Sequence, residues 1–490
     1  MDNWCPGSAA GPGSLIDTAP WGIGIGQDER VTSVVIVGGG PGGYEAALVA
    51  AQLGAQVTLI EQLGVGGSAV ITDCVPSKAL VAVADAARAT VDSARLGVLV
   101  RGEQVRLDDV SLDLGAVNTR ILGLAGAQSE DIAARLERDG VRLVAGRGVL
   151  AGPARVLAVT DQGEHLFDAD VVLVATGARP RVLAAAEPDG ERILTWEQVY
   201  RLQQVPEHLI VVGSGVTGAE FASAYRGLGA EVTLVSSRDR VLPSQDADAA
   251  EVIEEVFARR GIAVMPRSRA EAARREGDEV VVTLADGTEL TGTHCLMAVG
   301  SVPNTERIGL MESGIRMDAG GFVEVDRVSR TSARGVYAAG DCTGVMMLAS
   351  VAAMQGRIAM WHALGDAVAP LDLATVASNV FTTPEIATVG VSEVDVAEGR
   401  MNADSVMLPL ATNARAKMGT FTDGFVKLFA RKGTRIVVGG VVVAPGASEL
   451  IHPVAIAVEQ RLTVDEVAHT FTVYPSLSGS IAEAARRLHV

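Results

Sequence analysis

Two glycine turns carry the clearest chemistry in this chain. Gly38-x-Gly40-x-x-Gly43 follows an apolar run (VTSVVIVG) and opens a helical one (YEAALVAAQLG). In such a turn the first glycine permits the tight bend and the second lets backbone approach a pyrophosphate. The third lets the helix pack on the strand. The helix N-terminus adds unpaired N–H donors and a partial positive charge, so the arrangement suits a dinucleotide. Glu61 ends the next strand (QVTLIE), where its carboxylate can accept from ribose hydroxyls. Gly213-x-Gly215-x-x-Gly218 repeats the plan after LIVVGS, but its second strand ends in Ser236, Ser237 and Arg238. A 2′-hydroxyl finds no carboxylate there, whereas two hydroxyls and a guanidinium suit the 2′-phosphate of NADP. The second turn is therefore read as an NAD(P) site that leans to NADPH.

The elements that must position these turns follow from the surrounding pattern. Each turn belongs to a strand–turn–helix–strand unit, residues 31–61 and 209–236, a duplication on the scale of whole domains. A polar helical stretch (about 77–138) and short strands (about 141–175) lie between them. Residues 263–299 alternate as a small antiparallel sheet does. From about 372 onward, strands (VFTTPEIATVGV, FVKLFA, RIVVGGVVVA) precede helices (SELIHPVAIAVEQ, SGSIAEAARRL), the order of an α+β domain.

Composition bounds what such a chain can be. Its 490 residues imply about three domains at roughly 100–200 residues each. A hydrophobic fraction of 48% with 20% charged residues excludes a disordered chain. The net charge of −18 argues against nucleic acid or an anionic membrane as partner. Four cysteines exclude a disulfide scaffold, leave little for a metal site (none is expected) and fit a reducing cytoplasm. The apolar stretches 34–60 and 209–235 are broken by glycine clusters and by Glu45 and Glu220, so no membrane insertion is expected. Residues 1–30 lack the basic region and apolar run of a signal peptide. They read as a disordered tail, or as a start placed upstream of the true one.

The two turns, together with ATGARP (Ala175–Pro180) and VYAAGDCTG (Val336–Gly344), resemble the flavoprotein disulfide reductases, a family that includes lipoamide dehydrogenase, glutathione reductase and mercuric reductase. The likeness extends through FTTPEIATVGV (Phe381–Val391), NARAKMGTFTDGFVKL (Asn413–Leu428) and YPSLSGSIAEAA (Tyr474–Ala485), covering essentially Val31–Leu488. It implies an α/β fold of two Rossmann-like dinucleotide-binding domains, for FAD and NAD(P), plus an α+β C-terminal dimerisation domain. The implied boundaries are 31–180 and 301–371 for the FAD-binding domain, 181–300 for the NAD(P)-binding domain and 372–490 for the dimerisation domain.

By that resemblance FAD would be held by Gly38, Gly40, Gly43 and Glu61, by Gly67, Ser68 and Lys78, and by Gly148. Further contacts would come from Ala175, Thr176 and Gly177, and from Leu348 and Ala349; Asp341 looks like the carboxylate that binds the ribityl chain. NAD(P)H would meet Gly213, Gly215, Gly218 and Glu220, then Ser236, Ser237 and Arg238, and Gly300. Lys78, in its PSK turn, and Glu220 match a family pair beside flavin N5, where a cation stabilises negative charge on the flavin. In the dimerisation module, the segment equivalent to Tyr474 reaches the partner subunit's flavin.

What the family has and this chain lacks narrows the chemistry. Disulfide-reducing members carry Cys-x4-Cys within a run like GGxCxxxxCxPSK. Here Ala69 stands at the first position, so only the flavin-proximal Cys74 remains. One sulfur cannot cycle between dithiol and disulfide. The family's acid–base pair, a His before a Pro with a Glu five residues later, is replaced by Tyr474 and Gly479. A phenol near pKa 10 is a poor base at neutral pH. Cys295 and Cys342 read as packing residues.

The pattern resembles a thiol-less branch of the family that reduces quinones. Hydride is then expected to pass from NAD(P)H to FAD and on to a quinone, an acceptor that needs neither thiol nor strong acid and can be protonated from water. Three alternatives stand beside it: a single-thiol peroxidase working through Cys74, a nucleotide transhydrogenase, and a flavin-bound redox sensor or partner-binding protein. The partners expected are a small-molecule acceptor and a second copy of the chain.

Overall fold

A computed structural model describes residues 31–489 of the chain. The segment 1–30, read above as a tail, lies outside the described residues.

The run Ser33–Val37 is β-branched throughout its apolar part and is buried almost end to end, as a central parallel strand must be. It pairs in parallel with Gln56–Glu61 on one side and Val171–Val174 on the other. Arg142–Ala145 and Val336–Ala338 extend the two edges, giving a five-stranded parallel sheet. The helix Pro41–Gln52 crosses this sheet and lies along Ala349–Ala363. Gly356 makes the approach possible: a Cβ there would sit 2.1 Å from the Gly42 carbonyl oxygen.

The second unit has the same plan. His208–Val212 is central, with Glu231–Val235 and Ile262–Met265 to one side and His294–Met297 and Ile193–Leu194 to the other, all parallel. The sequence reading of 263–299 as one small antiparallel sheet is corrected here. Only Ala270–Glu276, Glu279–Leu284 and Glu289–Gly292 form that sheet. Both ends of the range join the parallel sheet instead, because their backbones pair with its strands, residues 263–265 with Thr233–Val235 and residues 294–297 with Leu209–Val212.

The C-terminal part is a five-stranded antiparallel sheet, Ala377–Val380, Glu385–Gly390, Val437–Ala444, Phe425–Arg431 and Ala403–Pro409 in spatial order. The helices His452–Glu459 and Gly479–Arg487 cover it. Lys427 of this sheet, 3% exposed, donates to Asp246 at 2.9 Å and pairs with Asp248 at 2.6 Å and Glu393 at 2.9 Å. Its ammonium thereby fills the only cluster of three carboxylates among the described residues whose oxygens converge closely enough for a metal ion.

By length and composition alone, Gly67–Leu96 matches a membrane span. In the fold, Leu80 and Ala84 of this segment sit in the same core as Phe221 and Tyr225, and its Lys78 turns inward to a carboxylate.

Candidate functional site

The first glycine turn is built to the tolerance of an atom. Gly38 has φ +103°, and a Cβ on it would lie 2.2 Å from the Ala175 carbonyl oxygen. At Gly43 a Cβ would lie 1.9 Å from the carbonyl oxygen of Gly38, so helix and strand touch through backbone. Nothing stands within 4 Å of the Cβ position of Gly40, which leaves that backbone open to a ligand. The second turn repeats these contacts. Gly213 (φ +112°) abuts the Ala298 carbonyl oxygen at 2.2 Å, Gly218 abuts that of Gly213 at 1.8 Å, and Gly215 is open.

A cavity of about 650 Å³ lies along the first turn. Gly38, Gly40, Glu61, Gly67, Ser68 and Gly148 line it, together with Ala175, Thr176, Gly177, Asp341, Ala349 and Cys74. Glu61 is held for its task. Its Oε2 accepts from Gly39 N–H at 2.6 Å, and Oε1 accepts from Leu63 N–H at 2.7 Å and Gly64 N–H at 3.4 Å, leaving a lone pair on Oε2 for a ribose hydroxyl. The Thr176 hydroxyl is buried with no partner. Burial, with Asp73 second, pushes the Asp341 carboxyl up to about 6. An orphaned hydroxyl, a desolvated carboxyl and an open glycine backbone fit the polyhydroxylated chain and pyrophosphate of FAD.

Three residues expected at the flavin stand outside this wall. Gly43 faces Gly38, as above. Leu348 precedes the helix Ala349–Ala363 and leaves the wall to Met347 and Ala349. Lys78 turns to Glu220, with Nζ 2.9 Å from Oε2; the two side chains are 29% and 4% exposed. Burial lowers the Lys78 pKa, but Glu220 outweighs it and holds the ammonium above the ordinary lysine value. The other oxygen of Glu220 accepts from Phe381 N–H at 2.7 Å, and the Lys78 ammonium lies 5.0 Å from the Phe381 ring centre. Residues from all three parts of the chain thus meet at one point. Sequence reasoning missed Phe381, because a backbone N–H leaves no mark on residue type.

At the second turn Ser237 and Arg238 are exposed, whereas Ser236 is fully buried. Its hydroxyl meets that of Ser214 at 2.7 Å, donates to the Arg238 carbonyl and accepts from the Arg238 N–H. With its bonding capacity used in shaping the turn, Ser236 cannot reach a nucleotide; this corrects the reading of two serine ligands. Gly300 is open, at φ +91°.

Cys74 is half-buried in the cavity wall, and no second cysteine accompanies it there. Burial, with the Asp73 carboxylate next, pushes its thiol up to about 12. Tyr474 is 86% exposed, and within its own chain it is not part of the cavity wall.

Two nucleotide-type turns in duplicate parallel sheets, a flavin-sized cavity and an antiparallel C-terminal sheet define a pyridine-nucleotide-dependent flavoprotein. Residues 32–356 match the family described as pyridine nucleotide-disulphide oxidoreductase, and residues 376–485 match the dimerisation domain of that family. The chain belongs to this family, whose cofactors are FAD and a nicotinamide nucleotide. It is 55% identical over 468 residues to a protein of Mycobacterium tuberculosis strain H37Rv named NAD(P)H dehydrogenase (quinone), covering 94% of each. Dihydrolipoyl dehydrogenase 2 of Haloarcula marismortui is 32% identical, covering 94% of this chain and 97% of that one. Among solved structures, LpdA from Mycobacterium tuberculosis superposes with a TM-score of 0.89 at 54% identity, covering 94% of this chain and all of the other.

Proposed function

We propose that this chain is an FAD-dependent NAD(P)H:quinone oxidoreductase. The single observation that carries the reading is the wall around Cys74: a lone thiol, its expected partner replaced by Ala69, held protonated by burial and by Asp73. A protonated thiol is neither a nucleophile nor a peroxide-reducing centre, which weighs against both disulfide exchange and the peroxidase alternative. The relative at 55% identity carries a quinone reductase name, in keeping with this.

When bound, FAD supplies two-electron acceptance from a reduced nicotinamide and two-electron donation to an acceptor. Gly38, Gly40 and the N-terminus of the helix Pro41–Gln52 would hold its pyrophosphate, Glu61 the adenosine ribose and Asp341 the ribityl chain. Lys78, fixed by Glu220 and Phe381, keeps a positive charge beside the cavity and favours negative charge building up there. Ser237 and Arg238 favour NADPH, since an exposed guanidinium at that strand end suits a 2′-phosphate.

A second copy of the chain, joined through the C-terminal sheet, would complete the site with Tyr474. A reducing, cytoplasmic setting without membrane insertion suits the three free thiols among the described residues, two of them buried. The test is steady-state oxidation of NADPH and NADH by the purified holoenzyme with a soluble naphthoquinone, alongside lipoamide and glutathione disulfide. Turnover with the quinone and none with the disulfides is expected; the reverse pattern sinks the proposal.

A further inference from the structure

One carboxyl in the cavity wall has no role in the dinucleotide contacts assigned above. Asp73 precedes the helix Cys74–Asp92, at the position where an aspartate ordinarily accepts from first-turn N–H groups. Its side chain makes no such cap bond. The backbone alone ties it down, with its N–H donating to the Ser68 carbonyl and its carbonyl accepting from Ser77 N–H, each at 2.8 Å. The side chain instead lines the cavity beside Cys74.

Burial, not a neighbouring charge, favours the neutral form of the Asp73 carboxyl. Cys74 and Lys78 share its helix; Lys78 is the cation that pulls its pKa down, and Glu220 already takes that ammonium at 2.9 Å, while Arg147, Arg179 and Arg307 also line the cavity. Asp341 and Glu197 bring two more carboxyls to the same wall. Behind it the Tyr200 hydroxyl is buried without a hydrogen-bond partner. Burial raises the Asp73 pKa against the opposing pull of Lys78. An uncapped, desolvated carboxyl in the wall of a redox cavity is placed as a general acid is.

We propose that Asp73 donates the proton that completes acceptor reduction, so the enzyme does not depend on bulk water for it. The inference rests on the quinone reading above. One hydride equivalent originating from NAD(P)H and one proton from the Asp73 carboxyl convert a quinone to its hydroquinone. NAD(P)⁺ leaves, an O–H bond forms on the quinone as the Asp73 O–H bond breaks, and the carboxylate is reprotonated from solvent.

The experiment compares wild type, Asp73→Asn and Asp73→Glu as FAD-loaded holoenzymes, with 1,4-naphthoquinone as probe. Flavin bleaching by NADPH should stay within about twofold of wild type in all three, because that half needs no acid. Quinone reduction at pH 7 should fall by about 10²-fold or more in Asp73→Asn and be partly restored in Asp73→Glu. In wild type it should decline as pH rises through the raised Asp73 pKa, and in Asp73→Asn it should be flat. Independently of activity, the infrared carbonyl stretch of a protonated carboxyl should appear in the wild-type-minus-Asn difference spectrum of the oxidised holoenzyme. Quinone reduction by Asp73→Asn at the wild-type rate, or absence of that band, overturns the assignment of Asp73 alone. A wild-type enzyme that bleaches with NADPH yet reduces no quinone overturns the quinone reading and this proposal with it.

Discussion

Alkylation of Cys74 provides a sharp check on the inert-thiol argument. The perturbation is pH, and the reporter is the rate at which iodoacetamide labels the native holoenzyme, with Cys74→Ala as the blank. Only the thiolate reacts. A cysteine at the ordinary value of 9.0 is about one-tenth ionised at pH 8, whereas one pushed up to about 12 is ionised to about 10⁻⁴. Labelling of Cys74 at pH 8 should therefore be roughly 10³-fold slower than that of an unperturbed cysteine. Steric shielding could also slow it, so the decisive quantity is the slope. The logarithm of the labelling rate should climb by about one per pH unit from pH 8 to pH 11 with no plateau. A plateau below pH 9.5 would mean that burial and Asp73 do not hold the proton. The peroxidase alternative would then regain its footing.

Further outcomes follow from other contacts. Gly43→Ala places a Cβ 1.9 Å from the Gly38 carbonyl oxygen, so the helix must move off the strand and the purified protein should retain less than about a tenth of its flavin absorbance. Lys427→Met leaves the 2%-exposed Asp246 without its counter-ion and should lower unfolding free energy by about 3 kcal/mol in urea titration; a change near zero would show that the cluster is carried by solvent. Arg238→Ala should raise KM for NADPH about 10- to 100-fold and leave KM for NADH unchanged, the worth of one charge-assisted bond to a 2′-phosphate. Equal effects on both nucleotides would remove the NADPH preference.

How much of this was legible in the residues depends on which physical signal each feature leaves. The glycine turns were readable because only glycine fits where a carbonyl oxygen stands about 2 Å from the Cβ position, and the flanking apolar runs reveal strand and helix. The Lys78–Glu220 contact was readable through family likeness alone, since nothing local links residues 142 positions apart. Phe381 was invisible because its backbone N–H does the work. Ser236 misled because a hydroxyl's type does not tell whether it faces solvent or closes its own turn. The ends of 263–299 misled because alternation marks a strand without naming its partner. Asp73 passed unremarked as a loop acid before a helix, its usual capping role masking a carboxyl turned to the cavity.

The central claim is that electrons reach a quinone without any thiol. Its most direct test is the turnover of naphthoquinone by FAD-loaded Cys74→Ala with NADPH as donor, under argon. The thiol-free account predicts a kcat within about twofold of wild type. A loss of tenfold or more, with flavin content and the NADPH bleaching rate preserved, would contradict it.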